Sequence, residues 1–144
     1  MIRSILETDI DTLLHWFNNP VALFLSSPKT AFPYTKSELS EDLLNKKDTF
    51  LLEEDGIIIG CISVNSDDEI SHLFIKKEFR GKKHSKTLVN YLIDENKCKT
   101  VLIHKNQREH IKLFETMNFT DSSEVFEFSF ESIKEHFKKY CLNE

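Results

Sequence analysis

Ten consecutive residues, Lys77-Glu-Phe-Arg-Gly-Lys-Lys-His-Ser-Lys86, carry five cationic side chains in a chain that is otherwise acidic. They are Lys77, Arg80, Lys82, Lys83 and Lys86, with His84 and Ser85 among them. The run follows an apolar stretch, Glu69–Lys76, and precedes a stretch with Leu88, Tyr91 and Leu92 at helical spacing. A strand that feeds a basic loop opening a helix is a phosphate-binding arrangement, because free backbone N–H groups and the helix dipole face the anion. A solvated surface turn would show the same charges. His84, inside the loop, is placed to touch phosphate rather than to catalyse. His72 lies between Ile70 and Phe74 and reads as a hydrogen-bonded core histidine. His15, His104, His110 and His136 form no spacing with Cys, Asp or Glu that suits a metal, so none is expected.

The elements that must hold this loop are legible on both sides. Ile2–Leu6 reads as a strand, and Thr8 or Asp9 caps a helix through Ile10, Leu13, Leu14 and Phe17 that stops at Asn18-Asn19-Pro20. A loop with Pro28, Pro33 and Tyr34 leads to a second helix through Leu39, Leu43 and Leu44. Thr49–Glu53 and Ile57–Val64 are strands joined at Glu54-Asp55-Gly56, and Glu69–Lys76 is the next. By parity Glu69, Ser71, Leu73 and Ile75 share one face of it, and Ile70, His72 and Phe74 the other. A helix over Ser85–Asn96, a strand over Thr100–His104 and a helix over Arg108–Met117 follow. Val125–Phe130 alternates as a strand with Phe126, Phe128 and Phe130 on one face, and about 131–141 reads as a terminal helix. The order β-α-α-β-β-β-α-β-α-β-α predicts an α/β sandwich with a mixed, mostly antiparallel central sheet flanked by helices, one domain over 1–144.

Composition narrows the function. Nineteen basic residues against 24 acidic ones give a net charge of −5, which disfavours nucleic-acid binding. No run approaches the roughly 18 apolar residues of a membrane span, and the early Glu7 does not suit a signal peptide, so a cytoplasmic protein without membrane contact is expected. Cys61, Cys98 and Cys141 share no metal or redox spacing and read as reduced thiols.

Ile75-Lys-Lys-Glu-Phe-Arg-Gly-Lys82 resembles the strand-to-loop signature of the GNAT superfamily, the acyl-CoA-dependent N-acyltransferases. Gln107-Arg-Glu-His-Ile-Lys-Leu-Phe-Glu-Thr-Met-Asn-Phe119 is similar to that family's second motif, a helix that opens on Asn, contains Leu-Tyr-Glu and ends in Gly-Phe. Trp16-Phe-Asn-Asn-Pro20 resembles the first helix end of its ribosomal-protein and aminoglycoside branches. The resemblance implies acetyl-CoA as cosubstrate, bound by Phe74, Ile75, Arg80, Gly81, Lys82, Lys83, His84, Ser85, Lys86, Asn106, Gln107 and Phe114. It implies that the Ile75 backbone N–H polarises the thioester carbonyl. Glu69, eleven residues before Arg80, falls where several members carry a catalytic base.

The departures from the pattern are equally specific. Lys83-His84-Ser85 stands where the family has glycines that let the backbone approach the pyrophosphate. Phe114 replaces the tyrosine that commonly protonates the leaving thiolate, and one strand is expected after Phe119 where the family usually has two. Tyr34, Tyr91 and Cys98 are other conceivable proton donors. The acceptor side falls on Trp16–Tyr34, and the net charge favours cationic amines. The resemblance thus implies an N-acetyltransferase acting directly on a primary amine of a small molecule or a peptide N-terminus, as monomer or homodimer. The alternative is a catalytically degenerate domain that binds CoA, another phosphate ligand or a protein.

Overall fold

The computed structural model describes residues 1–144. Seven strands form one sheet: β1 (Ile2–Ser4), β2 (Asp48–Glu54), β3 (Ile57–Val64), β4 (Glu69–Ile75), β5 (Thr100–His104), β6 (Phe119–Phe130) and β7 (Ile133–Leu142). Their spatial order is β1-β2-β3-β4-β5-β7-β6, and every neighbouring pair is antiparallel except β4–β5. Helices α1 (Ile10–Phe17), α2 (Pro20–Ser26) and α3 (Lys36–Ser40, continued by a π-helical turn to Lys46) pack on one face. Helices α4 (His84–Asp94) and α5 (Arg108–Thr116) pack on the other. This is the mixed, mostly antiparallel sheet between helical layers that the element order predicts.

Alternation along the strands divides the core. In β2, Phe50 and Leu52 join the α4–α5 side with Leu88, Val89 and Leu92, while Leu51 joins Leu13, Phe17 and Leu39 on the α1–α3 side. Thr35 caps α3 by accepting from the Glu38 N–H, and Glu38 reaches back to the Thr35 N–H.

Four expectations are corrected. Residues 131–141 are not helix: Ile133–Leu142 is β7, an interior strand between β5 and β6. Ile133, Phe137 and Tyr140 are spaced as on a helix face, but Phe137 faces the aromatic cluster around Phe24 and Tyr140 faces the α4–α5 core. A strand covered on both sides buries residues of opposite parity, which imitates helical period. Two strands, not one, therefore follow Phe119. Asn19-Pro20 ends α1 but also starts α2, because the Asn19 side chain accepts from the Val21 and Ala22 N–H groups and Pro20 takes the first helical position. Finally, the parity of β4 breaks at His72, a bulge with φ +53. Ile70, Leu73 and Ile75 belong to the α4–α5 side, and His72 and Phe74 to the α1–α3 side.

Candidate functional site

Strands β4 and β5 pair only at Glu69↔Thr100 and Ile70↔Val101, then part. The gap opens a cleft of about 1100 Å³ that runs through the sheet. Leu73, Phe74 and Ile75 form one lip, and Leu102 and Ile103 the other. The basic loop and α5 close one end, and α1–α2 close the other.

The backbone of the β4 lip faces this gap. Lys76 N–H donates to Ile59 O at 2.8 Å, so by the alternation of an antiparallel ladder the Ile75 N–H points away from β3, toward β5. The same alternation turns the Leu73 N–H that way. Gly60, opposite Ile75, permits the close packing here. A Cβ on it would lie 2.6 Å from Ile75 Cδ1 and 2.9 Å from the Phe74 carbonyl oxygen.

At the basic end the strand–loop–helix order is as expected. None of the backbone N–H groups from Gly81 to Lys86 donates to another group of the chain, and no side chain caps α4. The turn is made by Gly81 at φ +81 and Lys83 at φ +65. Lys83 thus adopts a left-handed conformation that glycine takes freely and that costs other residues about 1–2 kcal/mol. Its exposed side chain borders the cleft, as do Arg80, His84, Ser85 and Lys86. Arg80 Nε donates to Ile75 O at 2.8 Å, with its guanidinium carbon 5.3 Å from the Phe74 ring centre. Lys82 does not border the cleft and lies over Phe79.

On the α5 wall, Gln107, His110, Leu113 and Phe114 line the cleft. Gln107 accepts from the His104 N–H, while Asn106 stays outside and donates its own N–H to His104 Nδ1. Phe114 is 1% exposed and packs edge-on against Phe119, 5.0 Å between ring centres. Burial pulls His110 below the usual histidine range and Arg80 adds to that, against the pull of Glu109. The other proton donors considered in sequence lie elsewhere. Tyr34 bonds Asp42, Tyr91 packs on Phe50, and Cys98 is buried.

Glu69 is not brought to Ile75. Its carboxylate lies in a neighbouring recess of about 50 Å³, with Lys29 Nζ 3.1 and 3.4 Å from its two oxygens. Six residues of extended strand separate Glu69 from Ile75, about 20 Å. Recess and cleft share Ser26, Ile70, Ser71 and Leu102 as walls. His72 is wholly buried between Phe17 and Tyr34, as a core histidine should be. Its Nδ1 shares a hydrogen bond with Ser71 Oγ at 2.8 Å. Burial, helped by Lys47 against the pull of Asp42, lowers it to about 3.

Sequence reading missed Leu73, Ser71, Ser26 and His110 as cleft groups. Only His110 had a signal, since it stands one helical turn before Phe114 on the same face.

A family model described as Acetyltransferase (GNAT) domain matches residues 26–133, three quarters of the chain. The protein belongs to the GNAT acetyltransferase family. Among solved structures, this GNAT domain superposes on an N-acetyltransferase from Staphylococcus aureus Mu50 with a TM-score of 0.78 and 21% identity, covering 99% of this chain and 97% of that one. A spermidine N-acetyltransferase from Vibrio cholerae in complex with CoA and spermine gives 0.78 at 18% identity, over 99% and 94%. A ribosomal-protein-alanine N-acetyltransferase from Brucella melitensis gives 0.75 at 18%, over 98% of each chain. At these identities the likeness establishes the GNAT fold. No curated protein sequence matches the chain. No helix is long and apolar enough to cross a membrane.

Proposed function

We propose that this GNAT domain is a cytoplasmic N-acetyltransferase that passes the acetyl group of acetyl-CoA directly to a primary amine of a small molecule or a peptide N-terminus. The observation that carries the reading is the run of unclaimed N–H groups from Gly81 to Lys86, opening onto a cleft that leads to the Ile75 amide. That run fits a pyrophosphate, with the Lys83, Lys86 and Arg80 side chains beside it. When bound, acetyl-CoA supplies an activated thioester.

The chain's own groups and solvent do the rest. The Ile75 N–H donates to the thioester carbonyl oxygen, a preorganised donor of the kind worth roughly 3–4 kcal/mol. Phe114 and Leu113 pack along the cofactor's thiol arm. The amine loses its proton to water in the open cleft, because Glu69, about 20 Å along the strand and paired with Lys29, lies beyond the reach of a single bridging water. Phe114 has no proton to give, so the thiolate departs unprotonated, and a thiolate is a tolerable leaving group without protonation.

The missing hydroxyl at Phe114 also favours a second reading, a domain that binds CoA without turnover. Calorimetric titration with acetyl-CoA and CoA, followed by a transfer assay over an amine panel, separates the two. Micromolar binding with transfer that Arg80→Ala abolishes supports the transferase. Binding with no transfer to any amine leaves the binding domain, and no binding at millimolar ligand rejects both.

A further inference from the structure

The net charge of −5 suggests a polycationic acceptor, but the acceptor end of the cleft has a different character. Its walls are Trp16, Phe74, Val21, Ala22, Leu25 and Leu102, with Ser26 and Ser71 between them. Trp16 stacks on Phe74, 5.1 Å between ring centres and 24° between planes, so the pair adds aromatic carbon to the wall. The nearest strand carboxylate, Glu69, faces the adjoining recess and is already paired with Lys29. Glu109, the carboxylate that does border the cleft, stands in the first turn of α5, at the opposite end. A positive charge, the Arg80 guanidinium, lies over Phe74, 5.3 Å from its ring centre.

Each added ammonium of a polyamine would find aromatic carbon but no carboxylate here, so most of the hydration it loses is not replaced. A ring or alkyl group in the same place would shed water against carbon, which is favourable. We infer that the acceptor is a small monoamine on an aromatic or apolar skeleton, with no second cationic centre, its apolar part held between Trp16 and the Val21–Leu25 face of α2. The inference rests on the transferase reading and names the substrate class of that site. It also separates this chain from its spermine-bound structural neighbour despite the shared fold.

The test compares kcat/KM for phenethylamine and spermine on the full chain with saturating acetyl-CoA. The expected result is a preference for phenethylamine of roughly ten-fold or more, the size that apolar complementarity supplies. Spermine used equally well or better overturns the inference. Val21→Glu sharpens the comparison, because Val21 is exposed and lies in the first turn of α2, where a carboxylate is tolerated. It should raise spermine's kcat/KM and narrow the ratio at least several-fold, and an unmoved ratio also counts against the placement. If neither amine is acetylated, the wider amine panel decides the transferase reading. Calorimetry in the presence of CoA then reads the site alone: phenethylamine binding more tightly than spermine supports the inferred class, and the reverse order overturns it.

Discussion

Two polar regions of this domain make opposite use of their hydrogen-bonding groups. In the loop from Gly81 to Lys86, which borders the cleft, successive backbone N–H groups have no partner within the chain. Around His72, nearly everything is spent internally. Asp42 accepts from Tyr34 and Lys47, Ser71 bonds His72 Nδ1, and Cys61 Sγ donates to the His72 carbonyl. The exception is His72 Nε2, buried without a hydrogen-bond partner and 4.0 Å from Asp42 Oδ2. The lesson concerns access. An unpaired polar group marks a ligand site only where a ligand can reach it, and sealed in the core it is a liability of stability instead.

The largest expected effect lies in the buried region. His72 is held neutral, its folded pKa near 3 against an ordinary 6.5. The unfolded chain therefore takes up this proton first as pH falls, and folding stability drops from about pH 6.5 down to about 3. The shift corresponds to an upper bound of roughly 4–5 kcal/mol. Asp9 and Asp42, held below the ordinary carboxylate range, add losses only below about pH 4. Denaturant melts at stepped pH should show the fall, and His72→Asn, whose side chain tolerates a positive φ, should flatten it between pH 6 and 4. An unchanged slope in that variant would mean another group sets the acid limit.

The same contrast explains what could be read from sequence. The loop was legible because its signal is local: a charge run between a strand pattern and a helix pattern. Strands β3 and β5 were legible because apolar runs ended at turn residues. The His72 region was not, since its partners Asp42, Lys47 and Tyr34 come from other elements and the bulge carries no glycine or proline. That bulge also spoiled the parity argument and put Glu69 and Ser71 with Ile75. The Lys29–Glu69 pair joins residues 40 apart, beyond any local pattern. The β6–β7 hairpin turns at Glu131 and Ser132, both at positive φ, where Asn-Gly would have announced it.

Gly60 lies at the seam between the two regions and should give an intermediate effect. The cost of Gly60→Ala is that of overpacking, about 1–3 kcal/mol, because one of the atoms a Cβ meets is the Phe74 carbonyl rather than a movable side-chain tip. Displacing that peptide shifts the Ile75 amide but not the distant loop. Activity should therefore fall well beyond any change in CoA affinity, and equal losses in both would mean that lip and loop move as one body.

The smallest change in stability, and the sharpest division between regions, is expected from Ser85→Glu. Ser85 is the second residue of α4, whose first turn has no cap and no acidic residue. A carboxylate there complements the helix dipole and the free N–H groups, so the unliganded variant should gain about 0.3–1 kcal/mol. The same charge occupies the place proposed for the cofactor's phosphates, and repulsion should weaken acetyl-CoA binding roughly ten-fold or more. Ligand at a hundred times its dissociation constant adds about 2.7 kcal/mol to a protein that binds it. Thermal melts should therefore cross: without ligand the variant melts above the parent, and with acetyl-CoA it melts below. Parallel shifts in both proteins would mean that the anion is held elsewhere and that the free N–H groups of this loop are merely hydrated.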